Sequence, residues 1–134
     1  FELEFLTGRA CGSVAEAAAA AATLHGQGPK IVLVTSLDTT PDRLTMLASN
    51  AEGAWSVETP RLPVMLNGCG DVTAALFLGH LLNGASLAEA LGRTAAAMFA
   101  VIETTVRLGR YELALVASRG ELAQPSRSFE ARQL

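Results

Sequence analysis

The residues best placed to do chemistry lie in Asn67-Gly68-Cys69-Gly70-Asp71-Val72-Thr73, which runs directly into the apolar stretch Ala74-Ala75-Leu76-Phe77-Leu78. This order reads as a tight loop feeding a helix. The first turn of a helix has backbone N–H groups without intrahelical acceptors and carries partial positive charge. Glycines allow positive φ and close backbone approach, so the junction can hold an anion such as a phosphate. Asp71 adds a carboxylate that could take a proton from an attacking hydroxyl, and together these features point to phosphoryl transfer. The structural alternative is that Asp71 is an ordinary N-cap, worth about 1 kcal/mol. Neither a Gly-x-x-x-x-Gly-Lys-Ser/Thr loop nor a dinucleotide fingerprint is present, since Thr73 stands where a third glycine would be needed. Cys69 has no histidine near it in sequence, but a helix N-terminus can lower a thiol pKa. It is therefore expected to be alkylation-sensitive and shielded by bound nucleotide. His25 and His80 fall in helical patterns, as surface or packed residues, and no His/Cys spacing suggests zinc. Glu2 and Glu4 are either carboxylates on the magnesium side of a site or exposed helical glutamates.

These groups need a scaffold. Phe1 to Leu6 precedes the helix-stop pair Thr7-Gly8. Ser13 with Glu16 forms a capping box that opens an alanine-rich helix, closed by Gly26, Gly28 and Pro29. The unbroken run Ile31-Val32-Leu33-Val34 suits a strand covered on both faces, as in a parallel sheet. Helix followed by strand is half of a βαβ unit, so the expected class is α/β with a mostly parallel sheet. Thr35 and Ser36 stand at the carboxyl end of that strand, where ligands gather in open α/β sheets. Their hydroxyls could meet phosphate oxygens or simply satisfy loop backbone. Period-two alternation over 43–48 and 54–59, with turn residues at 50–53, predicts an antiparallel hairpin. Pro60 and Pro63 lead to the glycine loop. Val72 to Leu82, apolar almost all round, is expected to be a central buried helix. Asn83-Gly84 stops it, and Ser86 with Glu89 caps a helix whose face carries Leu87, Leu91, Ala95, Met98, Ile102 and Val106. Gly109 ends that helix, 111–116 reads as a short strand, and 121–123 as a helical turn.

The chain has 134 residues, half of them apolar and 17% charged, with a net charge of −3. That is the composition of a domain with a real core. Its pI is about 5.3, its arginines are scattered and Lys30 is its one lysine, which argues against a nucleic-acid partner. Its apolar runs break well before the roughly 20 residues of a membrane span. Two cysteines and no secretory signal fit a reducing cytoplasm. The absence of an initial Met, and a first segment that reads as the middle of an element, point to a missing amino-terminal part.

Three stretches together carry a family likeness. Gly68-Cys69-Gly70-Asp71, the strand end Val32-Leu33-Val34-Thr35-Ser36 and Phe1-Glu2-Leu3-Glu4 resemble the pyridoxal kinases of the ribokinase-like superfamily, bacterial pyridoxal/pyridoxamine branch. Tyr111-Glu112-Leu113 and 119–125 are similar to that branch as well. The resemblance implies a three-layer α/β/α fold, with residues 1–134 as the carboxyl-terminal part of a single kinase domain, inactive alone. It implies ATP-dependent phosphorylation of the 5′-hydroxyl of pyridoxal, and also of pyridoxamine and pyridoxine, in vitamin B6 salvage, with Mg2+, in a cytoplasmic homodimer. On this likeness Asp71 is the catalytic base, and Gly68, Cys69 and Gly70 supply the anion hole. Thr35 and Ser36 meet ATP phosphates, Thr59, Pro60, Arg61 and Leu62 line the nucleotide site, and Glu2 serves the magnesium ion. The alternatives are a hydroxymethylpyrimidine kinase of the same superfamily, or a nucleotide-binding module without catalysis.

Overall fold

Alternation of apolar and polar residues over 43–60 produces the expected hairpin. Strands β2 (Arg43–Asn50) and β3 (Gly53–Pro60) pair antiparallel, with Met46 opposite Val57 and Ala48 opposite Trp55. The Asn50 side chain accepts the Glu52 N–H at 2.9 Å and so shapes the turn. The computed structural model describes residues 1–134, the side chains of Asp38 and Thr39 excepted.

The parallel sheet expected from residues 31–34 does not form. Strand β1 (Val32–Thr40) runs antiparallel to β2, Val34 facing Leu47, and the short β4 (Arg132–Gln133) adds antiparallel to β3. The sheet order is β1-β2-β3-β4. An unbroken apolar run reports that both faces of a strand are covered; it carries no information about the direction of its neighbours.

Both faces are indeed covered, giving three layers. On one side lie α1 (Glu2–Thr7) and α2 (Val14–His25). Leu3, Ala17, Ala20 and Ala21 pack there on Leu37 and Leu47. The alanines are fully buried and bring the α2 backbone close to the sheet. Ser13 caps α2 by accepting the Glu16 N–H at 3.2 Å. At the other end, His25 donates from Nδ1 to the Pro29 carbonyl (2.9 Å) and pairs through Nε2 with the Ser49 hydroxyl (3.0 Å), tying the helix to β2.

On the opposite face α3 (Cys69–Leu82) and α4 (Leu87–Arg107) meet Met46, Ala48 and Val57 through Phe77, Leu87, Leu91 and Ala95. The central buried helix is α4, not α3. Of α3 only Thr73 and Phe77 are buried, while Leu78 is 56% and Leu82 78% exposed. Uniform hydropathy gave α3 no preferred face, whereas the apolar stripe of α4 directed it onto the sheet. Gly84 ends α3 in a left-handed turn, with Ala85 N–H donating to the His80 carbonyl and Gly84 N–H to that of Leu81.

The chain beyond Gly109 wraps around α4. The strand expected over 111–116 is absent; a single parallel bridge joins Glu112 to Asn67. The helical turn near 121–123 is present as α5 (Arg119–Ala123). A carboxyl-terminal strap then crosses α4 toward β3. Phe129 meets Phe99 edge-on at 5.4 Å, and Arg127 lies 5.0 Å over the Phe99 ring and 2.7 Å from Glu103. The crossing is so close at Gly92 that a β-carbon there would stand 2.5 Å from the Phe129 carbonyl oxygen. No helix among the described residues is long and apolar enough to cross a membrane.

Candidate active site

The start of α3 is a helix N-terminus without a side-chain cap. Gly68 is the N-cap, at φ 84°, a left-handed conformation that favours glycine. Asp71 is therefore the third residue of the helix, and its reading as an N-cap is overturned. The first intrahelical bond runs from Val72 N–H to the Gly68 carbonyl at 3.1 Å. The N–H groups of Cys69, Gly70 and Asp71 precede it and are the donors a helix leaves unused. The Asp71 side chain is exposed.

Cys69 and Gly70 open onto a cavity of about 500 Å³ that also takes in Thr35, Ser36, Thr59, Pro60, Arg61 and Leu62. Six residues singled out from sequence on two other segments thus converge on the loop. Gly68 and Asp71, next to the loop's cavity-lining pair, are not among the lining residues. Each segment is held by its own local geometry. Val34 faces Leu47 and Leu37 faces Thr45, so Thr35 and Ser36 together oppose Met46 alone. That is a bulge, a device that turns side chains out of a ladder and is common beside active sites. Both residues are exposed, and among the described residues neither hydroxyl has a hydrogen-bond partner. Thr59 and Pro60 are the last pairs of β3, and Arg61 N–H donates to the Asp42 carbonyl at 2.9 Å.

Glu2 does not line this cavity. It lines a neighbouring one of about 420 Å³, and that cavity also includes Thr35 and Ser36. The hydroxyl pair thus borders both spaces. Among the described residues no group of three or more His, Cys, Asp or Glu forms a metal cage. A magnesium ion takes one or two carboxylates and fills its shell with water and phosphate oxygens, so a single glutamate beside two hydroxyls fits it.

Cys69 does not have the lowered pKa expected of it. Half-buried, it has its thiol pushed above the ordinary 9.0 by desolvation. His80 is packed: burial first, then nearby Arg93, hold it below its ordinary 6.5.

Two sets of residues escaped the sequence reading. Met98, Phe99 and Ile102 of α4 form an apolar wall of the larger cavity. In the sequence Met98 and Ile102 show only as part of a core stripe. The other set is the 112–114 segment behind the glycine loop: Glu112 bridges to Asn67, and Leu113 Cδ1 lies 3.8 Å from where a Gly68 β-carbon would stand. Periodicity had pointed to a strand there and gave no sign of this contact.

Comparison with known proteins decides the family. The profile described as pfkB family carbohydrate kinase matches residues 1–107. The chain belongs to the pfkB carbohydrate kinase family. It is 49% identical over 138 residues to the pyridoxal kinase PdxY of Rubrobacter xylanophilus, covering 100% of this chain and 48% of that protein. Among solved structures, pyridoxal kinase from Trypanosoma brucei superposes with a TM-score of 0.88 at 29% identity, covering 100% of this chain and 49% of that one. The Leishmania donovani pyridoxal kinase in complex with ADP and pyridoxamine gives 0.91 at 23% identity, with 100% and 49% covered, a likeness of fold. The chain spans about half the length of these relatives. The ribokinase-like layering is thereby borne out, with an antiparallel sheet in this part of it.

Proposed function

We propose that the protein carrying this chain is an ATP-dependent pyridoxal kinase, with residues 1–134 forming the carboxyl-terminal part of its kinase domain. The observation that carries the reading is the uncapped α3 terminus with an exposed carboxylate on its third residue, opening onto a cavity shared with Thr35 and Ser36, whose hydroxyls have no partner among the described residues. The 49% identity to a protein named pyridoxal kinase supports the choice of vitamin.

In the proposed reaction the Asp71 carboxylate removes the proton of the pyridoxal 5′-hydroxyl. The oxygen bonds to the γ-phosphorus as the bond to the bridging oxygen breaks, and ADP leaves. Such transfers need positioning and electrostatics more than covalent help. The N–H groups of Gly68, Cys69 and Gly70 stabilise charge as it grows on the phosphoryl oxygens. Thr35 and Ser36 hydroxyls donate to ATP phosphates, and Thr59, Pro60, Arg61 and Leu62 bound the nucleotide. Glu2 would hold the magnesium ion through its water shell, and that ion, when bound, neutralises phosphate charge.

The test is a coupled ADP assay on the intact protein. Pyridoxal 5′-phosphate should form only with ATP present. Asp71→Ala should cut kcat by about 10²–10⁴-fold, the range for a lost general base, with little change in ATP affinity. Near-normal turnover in that variant would remove Asp71 from its role. A competition assay won by hydroxymethylpyrimidine would keep the phosphoryl transfer and change the substrate.

A further inference from the structure

Thr105 sits in the last turn of α4, fully buried, with both polar functions engaged. Its hydroxyl donates to the Val101 carbonyl at 2.7 Å and accepts the Ala114 N–H at 3.0 Å. Its carbonyl accepts Arg110 N–H at 3.1 Å, while Gly109, at φ 61°, donates to the Val106 carbonyl at 3.0 Å. These two backbone bonds form a Schellman motif. One residue thus sets both the exit from α4 and the position of Ala114. The two residues before Ala114 adjoin the glycine loop: Leu113 Cδ1 lies 3.8 Å from where a Gly68 β-carbon would stand, and Glu112 bridges Asn67. No other backbone or side-chain acceptor takes the Ala114 N–H among the described residues.

We infer that Thr105 is a positioning residue for the phosphoryl-binding loop, acting through Ala114, Leu113 and Glu112 on Asn67 and Gly68. This rests on the kinase reading of that loop. The physical reason is geometric. The loop presents backbone donors whose direction follows the φ and ψ of Gly68, and glycine holds no conformation of its own. A support packed behind Gly68 from a buried, doubly bonded hydroxyl fixes that direction. Removing the hydroxyl leaves Ala114 N–H buried and unpaired, so the 112–114 segment must move to satisfy it.

The experiment compares Thr105→Val, which keeps shape and removes the hydroxyl, with Thr105→Ser, which keeps the hydroxyl, in the intact protein. Thr105→Val should lower kcat roughly 10–100-fold, the effect of misplacing a catalytic group by a fraction of an ångström to one ångström. KM for ATP should stay within about twofold, because misplaced transition-state contacts act on kcat. Amide NMR shifts of 67–72 should move, and Thr105→Ser should restore both readouts. Should Thr105→Val fail to fold, Leu113→Ala, half-buried beside the loop, should give the same kcat loss and the same shift pattern. Wild-type kcat and unmoved 67–72 shifts in Thr105→Val, or in Leu113→Ala where that variant stands in, would overturn the inference. So would a Thr105→Ser variant no better than Thr105→Val. A wild-type protein that fails to phosphorylate pyridoxal would sink the functional reading instead, and the NMR comparison would still decide the positioning.

Discussion

Helices α3 and α4 carry an acidic residue at the same place, the third position, and use it in opposite ways. In α4 the N-cap is Ser86, and Glu89 closes a capping box. Ser86 accepts the Glu89 N–H at 3.3 Å, while the Glu89 carboxylate takes the Ser86 N–H at 2.9 Å and its hydroxyl at 2.8 Å. Two of the terminus's donors and the carboxylate satisfy each other, so the acid is engaged within its own helix. In α3 the N-cap is Gly68, which has no side chain to take a donor or occupy Asp71. The same three-residue spacing thus gives a closed terminus in one helix and an open one in the other. The residue that decides between them is the cap, not the acid.

The most forceful way to break this comparison is to neutralise both acids. Asp71→Asn should lower kcat by about 10²–10⁴-fold, as for loss of a general base, and leave thermal stability nearly unchanged. Glu89→Gln should do the reverse, lowering the melting temperature and sparing kcat. Steady-state kinetics and calorimetry on the two variants check it. Equal effects on activity would mean that the two termini are alike.

The helices also differ in what surrounds them. Leu91 of α4 is fully buried among sheet and α3 side chains, so Leu91→Ala should cost about 2–5 kcal/mol in chemical denaturation. A smaller effect follows at Gly92, where a β-carbon meets the Phe129 backbone at 2.5 Å. Gly92→Ala should destabilise by roughly 1–3 kcal/mol, an overpacking cost, through displacement of the carboxyl-terminal strap. Loss of the Phe99–Phe129 contact should be visible in aromatic NMR shifts. If Gly92→Ala were stabilising, as a helical glycine replaced by alanine often is, the strap would not lie tight on α4.

How much of this could be read in advance depended on whether the signal was local. The hairpin, the caps at Ser13 and Ser86 and the stops at Gly8, Gly84 and Gly109 are set by residues a few positions apart, and the sequence showed them. The convergence of Thr35, Ser36, 59–62 and the glycine loop came from a family likeness; periodicity placed each segment but not their meeting. Strand direction around β1 was misread because burial on two faces is common to both kinds of sheet. The roles of α3 and α4 were exchanged because hydropathy measures apolar content and not which neighbour is available. The burial that raises the Cys69 thiol is a tertiary property with no local signal in the sequence. Thr105 was invisible because its partner lies nine residues on and outside any regular element.

The smallest expected effect compares the two helices through their titration. Burial and Arg93 lower the pKa of His80, near the end of α3, below 6.5. The unfolded chain therefore binds this proton first as the pH falls, and stability declines from about 6.5 downward. Glu89 of α4 is also lowered, from 4.5, chiefly by the Ser86 N–H bond, then by the Ser86 hydroxyl and Arg93. Its contribution is complete above 4.5 and is lost as the pH falls through the lower, folded value. Both groups act in the same direction, but the His80 decline sets in at higher pH than that of Glu89. His80→Gln should remove the decline that sets in at about 6.5 and leave the one that sets in at about 4.5, while Glu89→Gln should flatten the latter alone. Melting temperatures recorded across this range separate the two. A His80→Gln profile that still fell from 6.5 would mean that another group sets the upper limb.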